Sequence, residues 1–370
     1  MYKKILILFV IIILTVIVWH LIQQRWEIAA ELKAAEKRVE KSRETIEKFT
    51  VFNTPDAELS SVKNSSTVKI QNVSALYLDQ PLRQFCIKSS YNTAVTGSFV
   101  NTDMIKYVLS RGVRYLDFEI FMINNVPTVA YSTDPNFEII DTDNTILLNA
   151  ALSTIISNAF STHTSPNNGD PLFINMRIKS NDTGVYKAVA NTINSVLMSN
   201  LLYEGKVTGD TKLRNLMGKI IIVMDRTIAP MYAKYCKCSG SDNNNNCHDL
   251  TEYINVESGT SALYQNQYTE IINQSSIQIN TMLDICSICT DIKHMRIVLP
   301  DLNYKNTKNP IVENLITQYG VQIVPYRFNS NDGGLADYEA LFDYQTLKSA
   351  FAPLATAIKY IQEKNSGNGQ

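Results

Sequence analysis

The sequence predicts an α/β fold, a parallel sheet covered by helices, reached from the N-terminus through a transmembrane helix and a helical stalk. Short apolar strands alternate with amphipathic helices through the middle of the chain, as in strands that pair side by side and are crossed by helices. An almost unbroken apolar run fills Ile5–Ile22, and the stretch after it is rich in Ala, Glu, Lys and Arg. The 370 residues leave room for one domain of about 250 residues, the size of a barrel, plus appendages.

Taken in order, Met1-Tyr2-Lys3-Lys4 precedes a run whose polar interruptions are Thr15 and His20. The run exceeds the roughly 17 residues a spanning helix needs and the roughly 7–15 residues of a cleaved leader. Trp19 and Trp26 suit an interfacial belt. Residues 1–22 are therefore predicted to be an uncleaved signal anchor in the lipid bilayer. The N-terminus is then cytoplasmic, and the rest is lumenal, extracellular or virion-associated. In residues 23–49, Ile28, Leu32, Ala35, Val39, Ser42, Ile46 and Phe49 recur at spacings of four and three. This seam fits a short coiled-coil stalk, which would make a homo-oligomer, and equally a solvated amphipathic helix. Residues 50–80, with Pro55 and many Ser, Asn and Val, read as a linker or an extended arm.

The centre of the chain is Leu82–Pro135. A polar turn, Ser90-Tyr91-Asn92-Thr93, precedes a helical run with Met104, Ile105, Val108 and Leu109, and then a strand carrying Asp117 and Glu119. Acids at i and i+2 of a strand point to one face, where they could chelate a hard cation or hold a general base. Pro127–Tyr131 reads as a strand, Asp141–Phe160 as a helix, Pro171–Ile178 as a strand, Val185–Leu202 as a helix and Gly218–Asp225 as a strand. The net charge of −1 provides no electrostatic footprint for nucleic acid, and none is expected as a partner.

Three of these segments resemble the X region of phosphatidylinositol-specific phospholipase C. They are Ser90-Tyr91-Asn92-Thr93, Arg111 to Glu119, and Pro127-Thr128-Val129-Ala130-Tyr131. The family patterns are Ser-His-Asn-Thr, Gly-x-Arg-x-x-Glu-x-Asp and Pro-x-Val-x-His-Gly. Further on, His294–Pro300, Asn309-Pro310 and Gly320–Asn329 look like the family's eukaryotic-type Y region. The resemblance implies a distorted TIM-type (β/α) barrel over residues 81–345. A Cys-rich insert would occupy 226–292, and 346–370 would be a closing helix and tail, with the helical part near Tyr344–Gln362.

The resemblance also implies a site and its losses. Family enzymes cleave the lipid phosphodiester with two histidines, and in eukaryotic forms with calcium. Here both histidine positions are tyrosines, Tyr91 and Tyr131. Imidazole titrates near neutrality and phenol near 10, so the exchange removes an efficient proton shuttle. Asn92, Asp117 and Glu119 match metal ligands, whereas Arg177 falls on the remaining ligand glutamate and is read as the metal's replacement. Val223 and Asp225 stand where the family has phosphate-binding lysines, and Arg296 matches a headgroup-binding arginine.

The expectation is a membrane-anchored, catalytically inactive relative with a binding or structural role and no cofactor, whose Asn-, Ile- and Lys-rich usage fits an A+T-rich viral genome. The alternative is an active phosphoric diester hydrolase using calcium, with Tyr91 as donor. A third reading is a module that binds a lipid headgroup, such as that of a phosphoinositide, or a glycan in the old pocket, with Arg177 and Arg296 as anion contacts; a protein partner is the further alternative.

Cys236, Cys238, Cys247, Cys286 and Cys289 cluster in the insert with His248. Their spacing fits a zinc site or disulfides. Asn64, Asn72, Asn181 and Asn273 lie in glycosylation sequons, in keeping with a lumenal domain. Cys86 is expected to be a buried apolar residue.

Overall fold

The computed structural model describes residues 54–63, 66–197, 200–238, 247–276, 279, 290–301, 308–344 and 348–367, together with Trp19. The chain divides after Asn53, and the account below concerns the unit from Thr54 onward. Among the described residues no helix is long and apolar enough to cross a membrane. Trp19 apart, the expected anchor (1–22) and stalk (23–49) lie outside the described residues.

The acid strand β3 (Tyr115–Ile123) is the spine of the sheet. It pairs in parallel with β6 (Leu172–Ile178), which pairs in parallel with β7 (Ile220–Asp225), and that with β8 (Val256–Ser258). Preceding β3 on the chain, β1 (Phe85–Ile87) leads into β2 (Ser89–Ser90), which lies parallel to β3. The antiparallel edge is β4 (Val126–Ala130), joined to β3 through Asn124 and Asn125, both at positive φ, and followed by β5 (Ile146–Leu147). Asn tolerates the left-handed region that a two-residue hairpin turn requires.

Alternation sorts the side chains between two cores. Leu116, Phe118, Ile120, Ile174, Met176, Ile178, Ile222 and Met224 pack in the larger one. It also takes the apolar faces of α2 (Thr102–Ser110), α3 (Leu148–Ala159) and α4 (Val185–Val196). Tyr115, Phe173, Ile221 and Val223 point the other way, into a second core with Phe85, Ile87, Tyr91, Ile297, Ile323 and Phe351. The period of two along each strand therefore places Asp117, Glu119, Asn175, Arg177 and Asp225 on the inner side.

Around that inner core, β9 (Tyr264–Gln267) and β10 (Arg296–Leu299) form a parallel pair. Isolated bridges Ser258↔Leu263, Ile297↔Ile323, Ile87↔Ile323 and Ser90↔Tyr326 carry the strands round towards β2. The architecture is α/β and barrel-like, but among the described residues no sheet closes into an unbroken ladder.

Several segments differ from expectation for local reasons. Residues 50–80 hold a helix, α1 (Pro55–Val62), capped by Thr54. Its buried Glu58 accepts from Ser98 N, Phe99 N and the Thr96 hydroxyl. Ile70 lies against Gly112, where an added Cβ would approach it to 2.9 Å and where φ is +77°. The expected helix 141–160 begins only at Leu148, because Ile146 and Leu147 pair with β4 and Asp141 accepts from Thr133. The helix expected to run to Leu202 stops at Val196. At the C-terminus, β11 (Phe351–Pro353) pairs antiparallel with β1, and the closing helix spans Leu354–Asn365.

Candidate functional site

The site is built from β3 and β6 with the turn after β2. Register brings Asp117 opposite Asn175 and Glu119 opposite Arg177. Asn92 reaches them because its backbone is left-handed, φ 44°, which turns its own N–H onto Asp117 Oδ2 at 2.9 Å. Asparagine adopts that conformation at little cost.

Arg177 is the hub. Its Nε donates to Asp117 Oδ1 at 2.8 Å and its Nη2 to Asp117 Oδ2 at 2.6 Å. Nη2 also reaches Asn92 Oδ1 at 2.7 Å, and Nη1 reaches Glu119 Oε1 at 2.7 Å and the Tyr91 hydroxyl at 3.5 Å. A guanidinium has five N–H donors, and all are used. Burial opposes the charge on Arg177, but Asp117, Tyr91 and Glu119 together hold its pKa well above the ordinary value.

The two acids are equally saturated. Besides Arg177, Asp117 accepts from Asn175 Nδ2 at 2.8 Å and from Asn92 N. Glu119 accepts from Asn92 Nδ2 at 3.3 Å, from Ser132 N at 2.9 Å and from Lys179 Nζ at 2.9 Å. Each of the four carboxylate oxygens therefore takes two hydrogen bonds, the most its lone pairs can offer. Asp117, Glu119, Arg177 and Lys179 are at most 2% exposed. Burial lowers the Lys179 pKa and Glu119 works against that shift.

A divalent cation does not fit this arrangement. Asn92, Asp117 and Glu119, the residues that would hold calcium, have their oxygens committed to Arg177 and its neighbours. A guanidinium in that place opposes a second positive charge.

Tyr91 and Tyr131 both border the inner core. Tyr91 is buried between two guanidinium groups, with Arg177 Cζ 4.6 Å and Arg327 Cζ 5.5 Å from its ring centroid. Burial pushes its phenol pKa upward, against the pull of Arg177. Burial also raises Tyr131, with Arg327 opposing and Glu119 reinforcing. Both phenols thus move away from the neutral range in which a proton shuttle works.

The other expected residues do not join them. Arg296 opens β10, whose Ile297 is level with Ile323, while Tyr326, three residues on, is level with Ser90. Arg296 therefore starts about four residues, roughly 13 Å along the strands, short of the level of Ser90. Its Nη1 contacts Gln274 Oε1 at 3.5 Å.

In the insert, Cys238 and Cys247 are joined in a disulfide, which removes both from the expected zinc set. Cys236 is buried, donates to Tyr232 O and is pushed up to about 11 by burial and then Asp249. Cys286 and Cys289 lie outside the described residues. No group of three or more Cys, His, Asp or Glu able to hold a metal occurs among the described residues. Cys86 is buried as expected.

Sequence reasoning missed Lys179, Asn175, Ser132 and Arg327. Lys179 and Asn175 flank Arg177 at i±2, so the alternation that singled out Asp117 and Glu119 could have found them. Ser132 contributes a backbone N–H, and Arg327 arrives from an irregular segment distant in sequence, so neither had a local signal.

Residues 78–226 match the family model of phosphatidylinositol-specific phospholipase C, X domain. The fold is similar to that of PLC21 from L. pealei, with a TM-score of 0.54 and 14% identity over 75% of this chain and 38% of that one. It is also similar to PLC21 from S. officinalis, with a TM-score of 0.52 and 14% identity over 74% of this chain and 37% of that one. A calcium-dependent phosphoinositol-specific phospholipase C from a Pseudomonas species superposes more loosely, with a TM-score of 0.40 and 10% identity over 71% of this chain and 96% of the other. No curated protein matches the chain.

Proposed function

We propose that this phosphatidylinositol-specific phospholipase C-like protein is catalytically inactive and keeps its domain for a binding or structural role on a membrane. One observation carries the reading: Arg177 stands at the expected metal position with all five donors engaged, and the acids around it have no lone pair left. Tyr91 and Tyr131, at the expected histidine positions, support it, since their raised pKa values suit neither acid nor base near neutrality. The run Ile5–Ile22 supports anchoring in a bilayer.

A headgroup would find few free cations here. Arg177 spends its donors inward and Arg296 sits towards the other end of the strands, which favours a protein partner or a purely structural part.

The test is phosphodiesterase activity of the full-length chain, solubilised in mild detergent, on phosphatidylinositol and on a soluble inositol phosphodiester. Each assay is run with calcium and with chelator. The expected result is no turnover in any condition from a folded protein. Turnover abolished by Asp117→Asn would overturn the reading and make the protein a phosphodiesterase with a tyrosine donor.

A further inference from the structure

The strand that supplies Arg177 runs on past the ion cluster into solvent. β6 ends at Ile178, but Lys179 N still donates to Ile120 O at 2.8 Å, as a further rung beside β3. Lys179 turns its Nζ inward, to Ser132 O at 2.7 Å and to Glu119. Two residues on, Asn181 gives its Nδ2 to Asn136 O at 2.9 Å, so the extension of β6 runs beside the loop that follows β4. Two residues span about 6–7 Å of extended chain. Asn181 therefore stands one step outside the cluster, at the end of the sheet where Arg177, Lys179 and Glu119 lie. Over that step the environment reverses: Lys179 is 2% exposed, whereas Asn181, Asp182 and Thr183 are all exposed.

Asn181-Asp182-Thr183 is an Asn-x-Ser/Thr sequon with no proline at its centre. The pattern alone is common in an Asn-rich chain, and two structural observations add to it. The first is room. A sugar is transferred to the unfolded chain, so the fold has only to accommodate it, and all three sequon residues are in solvent. A linked Nδ2 keeps one N–H, which is enough for its bond to Asn136 O. The second is the Cys238–Cys247 disulfide. Such a bond forms and persists in an oxidising compartment, the same one in which a chain on the secretory route meets the transferase.

We propose that Asn181 carries an N-linked oligosaccharide, placed at the end of the sheet where the Arg177 cluster lies. In the transfer, Asn181 Nδ2 forms a bond to the anomeric carbon of an oligosaccharide carried on a polyprenyl diphosphate lipid. The bond from that carbon to the diphosphate oxygen breaks, the lipid diphosphate departs as the leaving group, and one Nδ2 proton is released. No oxidant or reductant takes part. The proposal rests on the reading of the chain as anchored with its folded domain across the membrane. Its consequence concerns what can approach. Asp134 accepts from Asn136 N and Ile139 N, holding both in one turn, and Ile139 is 65% exposed. An exposed isoleucine there suits contact with lipid, whereas a bulky hydrophilic sugar on the adjoining Asn181 keeps this end of the sheet off a bilayer.

The experiment expresses the full-length chain in cells with a secretory pathway and washes the membranes in alkaline carbonate, which strips chains that are not anchored. Protein is then treated with peptide-N-glycosidase in heavy-oxygen water, which labels each asparagine that bore a sugar, and its peptides are mapped by mass spectrometry. The expected result is a label at Asn181. Asn181→Gln and, separately, Thr183→Ala should each lose that label and one step of gel mobility while unfolding at the wild-type temperature, since both side chains are exposed. Asn72 and Asn273 lie in exposed sequons too, so the label is read by position. An unlabelled Asn181 in a chain that resists the carbonate wash and has formed Cys238–Cys247 overturns the proposal and leaves the anchor standing. A chain released by the wash overturns the anchoring reading instead, and the label at Asn181 in the released protein still decides the proposal.

Discussion

The two flanks of the inner core solve the same problem in opposite ways. Beside β3 and β6, two carboxylates, a guanidinium and an ammonium leave no acid lone pair and no Arg177 donor unused. On β7, Asp225 meets only neutral donors, the Thr227 amide and hydroxyl and the Gln265 amide. A single residue accounts for much of the contrast. Arg177 turns every donor towards β3 and Asn92, making that side a sealed ion cluster, and gives none to Asp225. Burial alone therefore does not mark a polar site as functional. Whether its lone pairs are spent is the more telling property.

The comparison breaks most severely at Arg177. Replacing it with methionine leaves Asp117 and Glu119 buried with only Lys179 beside them, and losing one partner of a buried ionic cluster costs about 3–5 kcal/mol. Urea unfolding of Arg177→Met should show a loss of that size, and a loss under 1 kcal/mol would mean the cluster is not closed as described.

A third buried acid sharpens the contrast. Asp170 accepts from Val73 N and from Asn167 Nδ2, and among the described residues it forms no salt bridge. Burial raises it to about 6, the Val73 bond and the Arg114 charge opposing. Because its folded value lies above the unfolded one, its contribution is fully present below about pH 4 and is lost as pH rises through 6. That amounts to roughly 3 kcal/mol. From pH 4 to 7 the wild type should lose stability relative to Asp170→Asn, which lacks this component.

The smallest effect is expected at Tyr91→Phe. It removes one long hydrogen bond of 3.5 Å to Arg177 but keeps the ring between two guanidinium groups. The loss should stay below about 1 kcal/mol. Tyr91→Ala, which also removes the ring, should cost clearly more by denaturant titration.

Much of this arrangement was legible in the sequence, for physical reasons. Alternation in Tyr115–Glu119 predicts that both acids share a face, and the strands near 172–178 and 220–225 follow from short apolar runs between helices. The resemblance in the X region singled out Asn92 and Arg177 as neighbours of those acids. What stayed hidden depended on contacts distant in sequence. Arg327 reaches Tyr91 across more than two hundred residues, and Gln265 meets Asp225 only because β9 returns beside β8. Helix limits failed where tertiary pairing overrode propensity, as at Ile146–Leu147, and where Pro353 ends a strand immediately before the last helix. Arg296 matched in sequence while its strand register carries it away from the acids, since a motif match reports order along the chain and not level within a sheet.

The central claim is that a guanidinium has replaced a metal ion between Asp117 and Glu119. It is tested most directly by exchanging charge for metal: thermal unfolding of the wild type and of Arg177→Glu, in a constant potassium chloride background, with chelator or with calcium. The account predicts that calcium leaves the wild type unchanged. The variant should be strongly destabilised in chelator, where its acids repel one another, and should recover in calcium. A wild type stabilised by calcium, with the effect lost in Asp117→Asn, would contradict it.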